Sequence, residues 1–270
     1  MSDFGFQGSS QLVDAANISL SGATPTGVAA NTKSAWVELS ASTTVETMGF
    51  SIAANHSDAS AGTQVSLLLD IGIGAAGSET VIVEGIAVDG SHTSEYLISA
   101  YIPLHISAGS RVAIRGQASA TSENISVKIK LHPKTMAGLT SYQIIESYGV
   151  NNADSGGVTV TTPSSGTSAW QEIVASTNSE IKSLGLCFTC TGSASDAIHK
   201  TEFAVGAAGS EIVVIPGMSW SYRRTTARSS IMPNLSWLPV HIPAGSRISA
   251  RTTFGGGSTR SLDVILLGAR

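Results

Sequence analysis

Charge is scarce in this sequence. Asp, Glu, Lys and Arg together make up 13% of the 270 residues, against roughly 25% in an ordinary soluble domain. Surfaces usually stay soluble through charge. One this poor in it is either covered by partners or coated with Ser and Thr, as in a stable secreted β-protein; composition alone allows both. A basic excess is also lacking. The net charge is −4, which excludes the cationic footprint that nucleic-acid phosphates require. Only two cysteines occur, Cys187 and Cys190, too few for a disulfide-stapled scaffold. No apolar run approaches the roughly 18 residues needed to span a bilayer. The first twenty residues carry no basic stretch followed by an apolar one, as a secretory signal would. These absences predict a soluble chain made in the cytoplasm, with no nucleic-acid and no membrane partner.

Helical spacing is nearly missing too; the one weak instance lies around Tyr142–Tyr148. Alternation takes its place. Val65, Leu67, Leu69, Ile71 and Ile73 share one strand face, and Ser66, Asp70, Gly72 and Gly74 fall mostly on the other. Ile125, Val127, Ile129 and Leu131 alternate in the same way with Ser126, Lys128, Lys130 and His132. Period 2 marks half-buried strands.

The chain also repeats itself. "GAAGSE" occurs at Gly74–Glu79 and at Gly206–Glu211, and "SAW" at Ser34–Trp36 and Ser168–Trp170. Met48–Ile52 matches Leu184–Phe188, and "IPLHISAGSRVAIR" (Ile102–Arg115) returns as "LPVHIPAGSRISAR" (Leu238–Arg251). Ile125–His132 aligns with Ser261–Gly268. The order is the same in both halves and the offset stays between about 132 and 137 residues. Solenoid units run roughly 20–50 residues, so these are whole domains. The reading is all-β: two tandem homologous antiparallel β-sandwich domains, jelly-roll-like, over residues 1–135 and 136–270. The junction falls near His132–Leu139, where Pro133 and Gly138 break the pattern. Each half offers about eight short strands. Gly77, Gly209 and Gly245 read as turn residues with positive φ.

No catalytic constellation emerges, and the expectation is of no enzyme, no cofactor and no metal. His105 and His241 occupy matching positions, but no carboxylate or nucleophile is evident beside them at a repeated position. "CFTC" has C-x-x-C spacing, yet Cys187 and Cys190 fall on opposite strand faces and lack a second ligand pair. They read as small hydrophobes. "GIGAAG" at Gly72–Gly77 runs into a strand, whereas a phosphate loop needs a following helix.

Surface candidates are better defined. Arg111 and Arg115, like Arg247 and Arg251, sit four apart on one strand face opposite the core. They suit carboxylate partners, with Glu79 and Glu211 as mates. Because both repeats carry them, an intradomain pairing outweighs a subunit contact. Trp36 and Trp170 share the polar face with Glu38 and Glu172 and read as rim residues or interface anchors. Trp220 and Trp237, found only in the second repeat, flank a segment that holds Tyr222, Arg223, Arg224 and Arg228, an interface composition; its counterpart in the first repeat is acidic or neutral.

The phrases "VGAAGSE-x-V" (Val205–Val213) and "P-x-H-I-P-A-G-S-R-x-x-x-R" (Pro239–Arg251) resemble uncharacterised virion structural proteins of tailed bacteriophages, β-sandwich proteins of the particle surface that act as decoration, collar or fibre components. Ser107 departs from the pattern in the first repeat. The resemblance implies a protein made in the host cytoplasm and carried on the virion, where it docks on capsid or tail subunits. Duplication adds the expectation of a homo-oligomer, with a trimer favoured because three chains supply six related units. The alternative is a tail-fibre or receptor-binding protein, or a carbohydrate-binding module, in which tryptophans stack on a surface glycan.

Overall fold

Alternating apolar residues build two sandwiches from strands that pair almost entirely within their own half of the chain. The computed structural model describes residues 11–19, 29–57, 66–88, 98–121, 124–133, 141–191, 197–222, 237–254 and 259–270. The first domain contains β1 (Gln11–Ser19), β2 (Val37–Ser40), β3 (Thr47–Ser57), β4 (Leu67–Ile73), β5 (Thr80–Val88), β6 (Ile98–Ile102), β7 (Val112–Ala118) and β8 (Asn124–Pro133). The second contains β9 (Ile145–Tyr148), β10 (Val158–Thr162), β11 (Gly166–Thr167), β12 (Gln171–Val174), β13 (Ile181–Thr191), β14 (Ala197–Val205), β15 (Ile212–Tyr222), β16 (Trp237–Ile242), β17 (Ile248–Phe254) and β18 (Arg260–Ala269). All assigned strand pairs are antiparallel. The segment with weak helical spacing contains strand β9 instead, because its pairing with β18 outweighs local propensity.

Sheet order settles the topology. The first domain stacks a β1-β8-β3-β6 sheet on a β2-β7-β4-β5 sheet. This interleaving of early and late strands is the double Greek key of a jelly roll. The second domain repeats it as β10-β18-β13-β16 on β12-β17-β14-β15, with β9 added beside β18 and β11 beside β17. The core of the first is built around Phe50, Ile52, Leu69, Ile71, Ile114 and Ile129, and that of the second around Leu186, Phe188, Phe203, Ile248 and Val264. Phe188 stacks on Phe203 with ring centroids 6.0 Å apart. The turn glycines have the backbone that the sequence demands: φ is +81° at Gly77, +82° at Gly209 and +78° at Gly245.

Register corrects one alignment. Phe50 faces Leu131 as its counterpart Leu186 faces Leu266. The last strands therefore match with Val127, Ile129 and Leu131 against Leu262, Val264 and Leu266, one residue away from the alignment of Ile125–His132 with Ser261–Gly268. Apolar residues on both parities of β18 made the slip invisible in sequence. A second correction concerns β4. Leu68 and Asp70, on its polar parity, are only 2% and 3% exposed. Here β4 is buried on both faces: Asp70 is enclosed by Lys33, Arg115 and the Gly85 N–H of its own domain, and beside Leu68, Gln117 is covered by the Asn152–Ser155 segment of the second domain.

Candidate functional site

That cover is a seam between the two jelly rolls. Residues 149–157 of the second domain have no counterpart in β1, where the chain passes the same stretch with a bulge between Val13 and Ala16. They form a clasp on the first domain. Gln117 donates from Nε2 to the Asn152 carbonyl at 3.1 Å and to Ser155 Oγ at 3.0 Å. Ser155 Oγ donates to Asn31 Oδ1 at 2.9 Å. Val150 packs where Gly85, at φ +67°, has no side chain. Beside the clasp, Ser147 Oγ donates to the Glu84 carbonyl at 2.6 Å. Below it lies an apolar contact. Cys187, Ile265, Leu267 and Ala269 point away from their own core, yet are at most 2% exposed and belong to the first domain's cluster. Their counterparts in the first domain, Ser51, Lys130 and His132 for the first three, stay polar. Burial pushes the Cys187 thiol up to about 12, although the Ala87 backbone bonds to it and opposes the shift.

The seam opens on one side into a groove of about 230 Å³, lined by Tyr101, Pro103, Tyr142, Ser183, Trp237 and Pro239. Tyr101–Pro103 and Trp237–Pro239 are the same step of the repeat, "YIP" and "WLP". Each aromatic ring lies over a glycine of the neighbouring strand, Tyr101 over Gly49 and Trp237 over Gly185. The seam brings the two steps together: Trp237 Nε1 donates to the Tyr101 carbonyl at 2.6 Å. Tyr142 backs them through bonds from its N–H to the Pro103 carbonyl and from the His105 N–H to its own carbonyl, 2.8 and 2.9 Å. Next to Tyr101, His132 packs edge-on at 5.6 Å and shares a 2.8 Å hydrogen bond with Ser51. Burial, then the nearby Lys130 charge, holds the His132 pKa below its ordinary value. Burial raises the Tyr101 phenol to about 12. Sequence reasoning selected Trp237 but missed Tyr101 and Tyr142; the paired "YIP" and "WLP" steps were the available signal.

The predicted arginines and tryptophans lie elsewhere, on the outer faces of the β2-β7-β4-β5 and β12-β17-β14-β15 sheets. Arg111 contacts Glu38 at 2.7 Å and Glu79 at 2.8 Å, and Arg247 contacts Glu172 at 2.6 Å and Glu211 at 3.3 Å. Burial alone would raise the Glu79 and Glu211 pKa values. Backbone N–H groups and the arginines outweigh it and hold both below the usual range. Glu38, then Glu79, raise that of Arg111. Arg115 lies over the Trp36 ring at 4.5 Å and bonds Asp70 at 2.8 Å. Arg251 lies over Trp170 at 4.4 Å and bonds Glu202 at 2.6 Å. These six residues engage their charges and rings inside their own repeat, as the intradomain pairing of the arginines expected, because each sheet needs the same neutralisation. Trp220 and Tyr222 are placed only as backbone positions of β15, opposite His199 and Ala197. Arg223, Arg224 and Arg228 lie outside the described residues.

The repeated histidines do have carboxylates, contrary to expectation. His105 contacts Glu46 at 2.9 Å and His241 contacts Glu180 at 3.3 Å. The mates come from the segment before β3 and its repeat, too far along the chain to be seen as neighbours. Among the described residues no group of three or more His, Cys, Asp or Glu could hold a metal ion, and no helix is long and apolar enough to cross a membrane.

No protein-family model matches the chain, and no curated protein matches it. Among solved structures the similarities are weak. It is similar to PNGF-II at 9% identity and a TM-score of 0.42, over 95% of this chain and 65% of that one, so it spans just under two thirds of that protein. It is similar to PNGase F, a glycosylasparaginase from Flavobacterium meningosepticum, at 9% identity and a TM-score of 0.35, over 95% of this chain and 96% of that one. The N-terminal CBM22-1–CBM22-2 tandem domain of Xyn10C from Paenibacillus barcinonensis follows at 8% identity and 0.28, covering 87% and 82%. The expectation of a chain that is not an enzyme is corrected by this comparison, since a glycosylasparaginase stands among the neighbours. At such identities and TM-scores the likeness assigns no reaction.

Proposed function

We propose that the protein is a structural component of a bacteriophage particle, docked on capsid or tail subunits through its β-sandwich surfaces. One observation carries the reading. The edge strand β5 of the first domain already receives a second jelly roll, and Gly85, Ile86 and Ala87 are buried there. Among the described residues the matching edge strand β15 is open: Pro216 and Ser219 are exposed, and Ile212 and Val213 are 67% and 41% exposed. An open apolar sheet edge invites a further partner. Low charge and duplication support the same reading, and three copies would supply six related jelly rolls. Contacts between copies would differ from the seam, because only the second repeat carries the clasp.

Sedimentation of the purified chain tests this, together with labelling of purified particles by antibody against it. The expected result is a trimer or larger assembly that Ile212→Lys with Val213→Lys dissociates, and antibody bound to particles. A monomer at high concentration with unlabelled particles overturns the proposal. Attachment to a surface carbohydrate is the second reading, and the aromatic groove favours it.

A further inference from the structure

We propose that the groove between the two jelly rolls is a binding site for a neutral pyranose ring, with Tyr142 and Trp237 as its stacking platforms; this rests on the second reading above, attachment to carbohydrate. The lining supplies three aromatic rings and two prolines, and none of its six residues is charged. A pyranose presents an apolar C–H face and a rim of hydroxyls. The face suits Trp and Tyr rings, which join a broad apolar surface to a polar edge. The rim suits groups that donate and accept, as hydroxyls do. The Tyr142 hydroxyl has no hydrogen-bond partner among the described residues and is available to the rim. At about 230 Å³ the groove lies below the roughly 300–1,000 Å³ of pockets that engulf larger ligands. It seats a ring on a surface and leaves the rest of an oligosaccharide outside.

A proline-rich peptide also docks on aromatic grooves, but its carbonyls only accept hydrogen bonds. Of the lining's side-chain donors only the Tyr142 hydroxyl is uncommitted among the described residues; the Tyr101 phenol and the Ser183 hydroxyl donate to the Met48 and Leu238 carbonyls, and the indole to the Tyr101 carbonyl. That bond has a second consequence. It fixes the Trp237 ring before any ligand arrives, so stacking costs little ordering. The platform is assembled from both repeats and exists only because the domains are joined as they are.

The test titrates the full chain with neutral hexose and N-acetylhexosamine oligosaccharides, and with a polyproline peptide, by calorimetry. At least one neutral oligosaccharide should bind. Tyr142→Ala should weaken binding by at least about tenfold while Tyr142→Phe retains most of it, as lost ring stacking requires. Pro239→Glu, at an exposed lining position, should cost about as much by placing a charge and a longer side chain in the groove, and it serves where Tyr142→Ala fails to fold. Sugar binding that neither Tyr142→Ala nor Pro239→Glu alters overturns the site but leaves carbohydrate attachment standing. Absence of binding to every oligosaccharide overturns both. Binding of polyproline without any sugar overturns the ligand class.

Discussion

Leu267 is the sharpest test of the seam. Its side chain points away from the core of its own sandwich, yet it is 0% exposed and packs in the first domain's cluster. If the first domain covers it, Leu267→Ala removes a fully buried side chain and leaves a cavity. Such replacements cost about 2–5 kcal/mol. At about 3 kcal/mol, a chain of this size should lose about 6–12 °C of melting temperature, taking roughly 2–4 °C per kcal/mol. An outward side chain that met only solvent would change stability by less than about 0.5 kcal/mol. Differential scanning calorimetry of the full chain separates the two cases. His132→Ala, at the matching position of the first repeat, provides the contrast, since His132 is half-buried and polar-bonded. A Leu267→Ala melting temperature within a degree of the parent would refute the seam, and with it the groove.

Two further outcomes follow from buried charge and from His132. Asp70 holds Lys33 and Arg115, each at 2.8 Å, and the Gly85 N–H at 3.0 Å, whereas Glu202 at its repeated position is paired by the more exposed Arg251. Asp70→Asn should therefore cost about 3 kcal/mol in urea unfolding and Glu202→Gln about 1 kcal/mol; equal losses would contradict the asymmetry. The depressed His132 pKa means that the unfolded chain takes up a proton first as pH falls below about 6.5. Stability present above that pH is lost on acidification toward the folded pKa. His132→Gln should flatten this dependence of the urea midpoint between pH 8 and 5, and an unchanged slope would show that another group causes it.

Much of the fold can be read from local pattern. Alternation along Leu67–Ile73 and Ile125–Leu131 identifies strands, and the shared "GAAGSE" and "AGSR" phrases announce the same turns twice. The intradomain mates of Arg111 and Arg247 also follow, because Glu79 and Glu211 recur with them. The partners of His105 and His241 did not follow, since Glu46 and Glu180 approach only when strands distant in sequence pair. The register of β18 was obscured because both of its faces are apolar.

That last ambiguity marks the boundary between chain and fold. Parity sorts side chains into the inside and outside of one sandwich, and duplication says that the sorting occurs twice. It does not say which outside becomes buried. Ser51, Lys130 and His132 remain on a polar face, while the matching Cys187, Ile265 and Leu267 vanish beneath another domain. The distinction arises from packing one jelly roll against the next, a long-range placement that no short period in the sequence encodes.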